Sequence, residues 1–324
     1  MRRREFLGVL AGAAGLPLPL SAQQSGMPVI GYLHSGRQTS QTANITAFRA
    51  GLKEAGLIEG QTVSIEFRWA DDNFDRLPAL ASELINRPVA AIFANGQAAF
   101  RAKAATPSMP IIFITGTDPV RDGLVGSLNR PGGNVTGAVF ITGTLGTKRL
   151  ELLRQIVPKA SRIAAIINPN TSETEEERKD LQAAAVALGL RLTFFEVMNR
   201  REIDAAFEAL AQQGADALIM GAGAFMFSNR QQVVALATRH ALPAVYPQRE
   251  SVIDGGLLSY GTSSTEAYRQ AALYVARVLR GEKPADLPVV QSSKFEFVIN
   301  LKTAKALGIE IHPQLLATAD EVIE

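Results

Sequence analysis

The chain contains no cysteine among its 324 residues. It therefore has no disulfide, no thiolate metal ligand, no cysteine nucleophile and no N-terminal cysteine to carry a lipid. Histidine is scarce as well, because only His34, His240 and His312 are present, and they lie far apart in sequence. Both a histidine-rich metal site and a histidine-based catalytic triad are therefore disfavoured. No metal or other cofactor is expected.

Excess charge of one sign is also missing. The formal net charge is +2, and the first five residues carry three arginines and one glutamate, so the remainder is close to neutral. Recognition of a nucleic acid needs clustered lysine and arginine on the folded domain. We therefore expect no nucleic-acid partner. The sequence also lacks a Walker motif and a Gly-x-Ser-x-Gly elbow, so ATP hydrolysis would have to be done by another subunit.

The first 22 residues predict a cleavable export signal. The run Arg-Arg-Glu-Phe-Leu at residues 3–7 resembles the twin-arginine signal, residues 8–20 are mildly apolar, and Ser21 and Ala22 offer small residues for cleavage. The apolar stretch is too short, and too rich in glycine and proline, to favour a membrane span. We expect export to the periplasm.

Apolar runs alternate with helix-like segments along most of the chain. Strands are predicted at residues 29–34, 61–69, 89–94 and 111–115, and amphipathic helices lie between them. This order predicts an α/β fold with a parallel, doubly wound sheet. The pattern starts again near residue 146 and runs to residue 246, which indicates two similar units in tandem.

A strand and a helix near residues 296–307 are left over after the two units, so the chain is expected to pass between lobes more than once. We expect crossings near residues 137–144, 251–261 and 287–295. Lobe one would then comprise residues 27–138 and 256–286. Lobe two would comprise residues 139–255 and 287–324.

Several motifs carry a family resemblance. They are Thr-Asp-Pro-Val at 117–120, Asn-Arg-Pro-Gly-Gly-Asn-Val-Thr-Gly at 129–137, Asn-Pro at 168–169, Gly-Gly-Leu-Leu-Ser-Tyr-Gly at 255–261 and the run from Phe297 to Gly308. Across residues 27–324 the chain resembles type I periplasmic binding proteins of ABC importers, specifically the tryptophan- and phenylalanine-binding subgroup. It departs from relatives that carry a lipid-modified cysteine, and its Asn-Gly-Gln turn at 95–97 differs from their Thr- or Ser-containing turn.

The resemblance implies two Rossmann-like, doubly wound lobes joined by three interdomain crossings, with the ligand in the cleft between them. It also implies hinge closure on a small-molecule solute, and a permease and an ATPase in the inner membrane as partners. We expect a monomer that binds a small polar solute, such as an aromatic or branched amino acid, without making or breaking bonds.

Candidate ligand contacts lie where predicted strands end, because ligands of open α/β sheets bind beyond the carboxyl ends of the strands. Asp118 is the first candidate for an ammonium partner; its alternative role is to cap the following turn. The other candidates are Ser35, Asn95, Gly96, Thr115 and Thr117 in lobe one, Thr142 and Thr144 after the first crossing, Asn168 and Asn170 in lobe two, and Tyr246, Gln248 and Tyr260 as walls or hydroxyl donors. Ordinary turn chemistry and core packing are their alternatives.

Three other classes of function remain open. A periplasmic receptor that signals to a membrane kinase would have the same sequence features. A doubly wound hydrolase is less favoured, because its usual nucleophile motifs are missing. A transcriptional regulator is disfavoured, because no helix-turn-helix module precedes Val29 and the N-terminus resembles an export signal.

Overall fold

The computed structural model describes residues 26–140, 143–292 and 294–324. The predicted export segment at residues 1–22 and the candidate contact Thr142 lie outside these residues. Within the described ranges, no helix combines the length and the apolar character needed to cross a bilayer.

The strands form two sheets, and their apolar, β-branched composition suits burial on both faces. Their bounds are β1 (Val29–His34), β2 (Ser64–Trp69), β3 (Val89–Asn95), β4 (Ile111–Thr115), β5 (Val135–Phe140), β6 (Arg162–Ile167), β7 (Arg191–Glu196), β8 (Ala217–Met220), β9 (Ala244–Tyr246), β10 (Leu258–Thr262), β11 (Val290–Ser292), β12 (Phe295–Asn300) and β13 (Glu321–Ile323).

Helices cover both faces of each sheet. Their bounds are α1 (Thr42–Glu54), α2 (Leu77–Ile85), α3 (Gly96–Ala105), α4 (Gly146–Ile156), α5 (Thr174–Leu188), α6 (Arg200–Gln212), α7 (Ala224–Ser228), α8 (Arg230–Arg239), α9 (Arg249–Ile253), α10 (Ser264–Leu279), α11 (Leu301–Ala306) and α12 (Pro313–Leu316).

The first sheet has the order β11-β5-β4-β3-β1-β2 and is parallel throughout. One face packs against α1 and α10, through residues such as Phe48 and Val275. The other face packs against α2 and α3, through residues such as Leu84 and Ala98. Two apolar layers around a parallel sheet make this lobe a doubly wound unit.

The second sheet has the order β13-β12-β10-β9-β8-β6-β7. Strands β6 to β10 are parallel to one another, whereas β12 pairs antiparallel with β10. Leu150 of α4 and Leu181 of α5 pack on one face, and Phe207 of α6 and Val233 of α8 pack on the other. The predicted α/β class with two doubly wound lobes is confirmed.

Two of the expected domain boundaries were wrong. Strand β10, expected in lobe one, pairs with β9 and β12 and so belongs to the second sheet. Strand β11, expected in lobe two, pairs with β5 of the first sheet. The second crossing therefore lies around Ser263, between β10 and α10, and not within residues 251–261. The sequence patterns of β10 and β11 indicate strands but do not indicate which sheet each strand joins.

Helix α10 returns the chain to the first lobe, and it does so through a close approach at Gly51 of α1. A β-carbon at Gly51 would lie 2.4 Å from the Arg269 carbonyl oxygen and 2.9 Å from Ala272 Cβ. Real side-chain carbons do not approach backbone oxygen this closely, so α1 and α10 can pack at this distance only with glycine there.

We therefore expect Gly51→Ala to destabilise the first lobe by about 1–3 kcal/mol, even though alanine is the better helix former. Denaturant unfolding measures the difference. Gly133→Ala is the matched control, because no atom lies within 4 Å of the added β-carbon at that site. Equal stability of the two variants would contradict the close approach.

Candidate ligand-binding cleft

In the first sheet, the strand order reverses between β1 and β3, and the loops after these strands are held together. The Ser35 backbone N–H donates to Asn95 Oδ1 at 3.0 Å, and Asn95 Nδ2 donates to Ser35 Oγ at 3.2 Å. Both residues are buried. A gap beyond such a reversal is where open α/β sheets bind ligands.

The second sheet reverses in the same way between β6 and β8. Thr171 follows β6 and Gly223 follows β8, and a β-carbon at Gly223 would lie 2.8 Å from Thr171 Cγ2. Gly223 also has a φ of +103°, a conformation that favours glycine. The two loops are thus packed tightly beside each other, and they face the first lobe.

The two reversals share one cavity between the lobes. Four predicted contacts line this cavity, namely Ser35, Asn95, Gly96 and Gln248. The prediction missed other lining residues, which include His34, Gln41, Asn44, Phe74, Phe140, Thr171, Glu173, Phe227, Ser264 and Tyr268. Most of these residues follow a strand or begin a helix. Their place in the sequence therefore indicated this part of the fold, but it did not indicate which side chains line the cavity.

Asp118 does not lie in this cavity. Its side chain is exposed, and Oδ1 accepts hydrogen bonds from the backbone N–H of Val120 at 2.8 Å and of Arg121 at 3.2 Å. This is the capping role that the sequence left as its alternative. Thr117, Asp118 and Thr144 line a separate cavity beside β5 and β11. Thr115 is buried beneath it, with its hydroxyl 3.1 Å from that of Thr117.

The two candidate asparagines of the second lobe also lie outside the lining of this cavity. Asn168 is buried, donates from Nδ2 to the Val197 carbonyl at 2.8 Å and accepts from the Asn170 backbone N–H at 2.9 Å. It therefore holds the loop after β6 in shape. Asn170 lines the open groove at the mouth of the cleft.

The two candidate tyrosines belong to the second lobe. Tyr246 is buried in its core beside α6 and α8. Tyr260 stacks on Phe295, with 6.1 Å between ring centroids and an interplanar angle of 3°. Neither ring lines the cavity between the lobes, so the structure gives both a packing role.

Glu173 is the charged group that sequence reasoning missed. It is 5% exposed, lines the cavity from the second lobe, and accepts hydrogen bonds from Ser172 Oγ at 3.0 Å and from the Gly116 backbone of the first lobe. Burial raises the pKa of its carboxyl above the ordinary value. The sequence did hold one indication of this residue, namely a glutamate directly before α5. It belongs to a run of acidic residues, however, and a favourable interaction with the helix dipole explains such a run equally well.

His34 and Tyr268 form the floor of the cavity on the first-lobe side. His34 Nδ1 accepts from the Gly36 backbone N–H at 2.9 Å, so the ring carries its proton on Nε2 and donates it to the Tyr268 hydroxyl at 2.8 Å. Burial lowers the pKa of His34 to about 3. The imidazole is therefore neutral, with both nitrogens engaged.

Helix starts dominate the first-lobe side of the cavity. Helices α1, α3 and α10 all begin there, and none has a side-chain hydrogen bond to its cap. At α3, the Asn95 side chain that would normally cap the helix bonds Ser35 instead. Unsatisfied N–H groups and the positive end of a helix dipole favour a negatively charged group.

The second-lobe side also has helix starts without a side-chain hydrogen bond to the cap, at α5, α7 and α9, but it adds acceptors. Besides the Glu173 carboxylate, the buried Gln248 Oε1 lines the cavity without a hydrogen-bond partner among the described residues. Within the described ranges no group of histidine and acidic side chains is placed to hold a metal ion. The cavity thus offers N–H groups of helix starts from both lobes and a carboxylate from the second lobe.

A buried ion pair supports the second-lobe side from below. Arg149 Nη2 donates to Glu177 Oε1 at 2.5 Å, and both side chains are at most 1% exposed. Glu177 Oε2 accepts the Ala222 backbone N–H at 2.8 Å, which fixes the loop between β8 and α7. This loop includes Gly223, so the pair positions part of the cavity wall.

Glu177→Ala is expected to destabilise the protein by about 3 kcal/mol or more, because it leaves the Arg149 cation buried without this partner. Thermal and denaturant unfolding report the loss. Glu83→Ala, which removes one of two acidic partners of Arg68 from a partly exposed pair, serves as the control and should change stability little. A Glu177 variant as stable as the Glu83 variant would show that the pair does not support the fold.

Comparison with known proteins gives the class of the protein. Residues 37–323 match the family described as ABC transporter substrate binding protein, so the chain belongs to this family. Its members bind a small-molecule solute outside the cytoplasm and work with an ABC transporter in the membrane.

Individual relatives agree with this class. The chain is 28% identical over 267 residues to a tyrosine-binding protein of Clostridioides difficile (strain R20291), covering 81% of this chain and 76% of that protein. It resembles the solved structure of an ABC domain in complex with L-Trp from Streptococcus pneumonia, with a TM-score of 0.83, 26% identity and coverage of 92% and 100%.

A conserved domain protein from Vibrio cholerae O1 biovar El Tor has the same fold, with a TM-score of 0.84, 24% identity and coverage of 92% of this chain and 100% of that chain. These similarities confirm the predicted type I periplasmic binding protein fold and the solute-binding class.

Proposed function

We propose that this protein binds a free aromatic α-amino acid between its lobes and presents it to an ABC permease. The observation that carries the proposal is that the cavity combines helix starts without side-chain caps and a buried carboxylate. The uncapped start of α3 would receive the ligand carboxylate, and Glu173 with Gln248 Oε1 would receive its ammonium group. A zwitterion matches both ends at once, and the match requires both lobes.

The apolar lining supports an aromatic side chain. Phe74, Phe140, Phe227 and Tyr268 line the cavity, with Phe74 contributed by the first lobe and Phe227 by the second. Flat apolar rings pack well against such walls. The tyrosine-binding relative and the L-Trp complex bind ligands of this kind, which supports the same class for this chain.

Hinge closure would couple binding to recognition by the permease. We infer two rigid bodies, residues 26–140 with 264–292 and residues 143–262 with 294–324, because sheet pairing and core packing divide there. Glu173 accepts a hydrogen bond from Gly116, and Arg121 Nη1 lies 3.1 Å from Glu176 Oε1 across the cleft. A ligand that contacts both lobes would favour the closed arrangement.

Binding without catalysis is part of the proposal. The imidazole of His34 has both nitrogens engaged and stays neutral, so it is poorly suited to act as a general base. We further propose that residues 1–22 direct export to the periplasm by the twin-arginine route and that the mature protein acts as a monomer. N-terminal sequencing of the exported form and light scattering would test these points.

Calorimetric titration with L-tryptophan, L-tyrosine and L-phenylalanine tests the ligand class. At least one should bind, and Glu173→Gln should weaken binding by about 2–3 kcal/mol, because a buried charge-assisted contact to the ammonium group is lost. Tryptamine and indole-3-propionate, which lack the carboxylate and the amine respectively, should bind wild type weakly.

Asp118→Asn is the matched control, since Asp118 lies outside the cavity, and it should leave affinity unchanged. If the Glu173 variant kept full affinity and the Asp118 variant lost affinity, the ammonium partner would be Asp118 and not Glu173. Turnover of any of these compounds would contradict the binding-only function.

A further inference from the structure

A second set of contacts joins the lobes outside the ligand cavity, and we call it the outer clasp. The Arg37 backbone N–H donates to Ser228 Oγ at 3.3 Å, Arg230 Nη1 donates to the Ser40 carbonyl at 3.3 Å, and Asn229 Nδ2 lies 3.4 Å from Asp72 Oδ2. The outer clasp thus consists of first-lobe residues Arg37, Ser40 and Asp72 and second-lobe residues Ser228, Asn229 and Arg230, none of which lines the ligand cavity.

The lobes approach closely at this clasp. A β-carbon at Gly36 would lie 2.6 Å from Ser228 Oγ, and the hydroxyls of Ser40 and Ser228 are 3.2 Å apart. Direct polar contact at this range brings the two loops together at the edge of the open groove. One carboxylate beside this contact is almost fully removed from solvent.

This group is the carboxylate of Asp72, and an unusual backbone conformation places it there. Asp71 and Asp72 have φ values of 55° and 66°, in the left-handed region that residues other than glycine seldom adopt. Their N–H groups donate to the carbonyls of Gly36 at 3.3 Å and Ser35 at 2.9 Å. The Asp72 side chain is 4% exposed, and its Oδ2 lies 2.9 Å from Arg37 Nε.

Two buried acceptors at the clasp lack a donor. Asp72 Oδ1 and Asn229 Oδ1 are both buried without a hydrogen-bond partner among the described residues. The amide of Asn229 is held in this orientation by donation from Nδ2 to the Phe225 carbonyl at 2.8 Å. An ionised carboxylate can only accept hydrogen bonds, whereas a protonated one supplies a donor. A proton on Asp72 would therefore convert one of the acceptors at this interface into a donor.

The groups around Asp72 determine how readily its carboxylate takes up a proton. Arg37 and hydrogen bonds from Ser228 and Asn229 stabilise the ionised form. Asp71 opposes it, but Asp71 is itself paired with Arg76 at 2.7 Å. From the second lobe, Arg230 faces the clasp and forms an ion pair with Asp254. Burial outweighs the attraction of Arg37 and raises the pKa of Asp72 to about 6.

We propose that the outer clasp is a proton-binding site, in which Asp72 takes up a proton as the lobes close, so that acid favours the closed state. The proposal rests on the hinge closure proposed above but not on the identity of the ligand.

The direction follows from linkage. In an open arrangement the Asp72 carboxyl would contact water and have an ordinary pKa of about 4. The closed state binds the proton more tightly, so closure gains stability as the pH falls from about 6 towards 4 and loses it as the pH rises through 6. Between pH 7 and pH 5 the closure equilibrium should shift about tenfold towards the closed state.

The absence of native cysteine makes a direct measurement simple. Asp75 and Ala205 are exposed and line the groove at the mouth from opposite lobes. Spin labels on Asp75→Cys and Ala205→Cys would report the distance distribution of the ligand-free protein between pH 7 and pH 5. We expect the short-distance population to grow about tenfold relative to the long-distance population as the pH falls.

Asp72→Asn provides the decisive variant, because it mimics the protonated carboxyl and cannot titrate. Its distance distribution should be independent of pH and at least as closed as wild type at pH 7, while Asp71→Asn should keep the wild-type response. A pH response that persists in Asp72→Asn would overturn the proposal, and so would a wild-type protein that populates both conformations in a ratio independent of pH.

If one conformation dominates at every pH, carboxyl ¹³C NMR of the Asp72 resonance, assigned by its loss in Asp72→Asn, decides the question. Titration near pH 6 in the closed form supports the clasp, and titration near pH 4 in that form refutes it. These ligand-free measurements are separable from the ligand titrations. A pH-responsive protein that binds no amino acid would contradict only the proposed ligand, and an amino-acid binder without the response would contradict only the clasp.

Discussion

The reversal of strand order in each parallel sheet is the constraint on which the rest of this structure depends. Strands β1 and β3 of the first sheet lead to helices on opposite faces of that sheet, and so do β6 and β8 of the second sheet. Each reversal leaves a gap at the carboxyl end of the strands, where neither helix layer can cover it. Because the chain places the two gaps opposite each other, loop residues distant in sequence line one cavity.

In the proposed function, burial of charge would determine which ligand the cavity selects. Glu173 is enclosed by both lobes, and its raised pKa reflects the cost of keeping its carboxylate out of water. A cationic group from a ligand would offset that cost, whereas an apolar ligand would not. The Arg149–Glu177 pair behind it is already matched within the lobe, so it fixes the wall and does not compete for the ligand.

The two sides of the cleft differ in their interlobe chemistry. On the hinge side, Arg121 and Glu176 form a partly exposed ion pair that solvent can replace when the lobes part. At the mouth, the outer clasp encloses Asp72 next to acceptors without donors. Opening would therefore cost little free energy on the hinge side. At the mouth it would change the solvation of the Asp72 carboxyl group, and protonation can therefore influence closure there.

The sequence by itself determined the α/β class, the two tandem units and several of the strand ends that line the cavity between the lobes, because apolar periodicity and turn residues are local properties of the chain. Ser35, Asn95 and Gly96 were identified in this way. Only the tertiary structure decided which turn residues meet. Asp118 and Glu173 are both acids beside a helical turn, but one caps that turn in solvent and the other is enclosed by the opposite lobe. The sheet that β10 joins, and the burial of Asp72 at the mouth, likewise depend on pairing and lobe contact between distant residues, which no local pattern encodes.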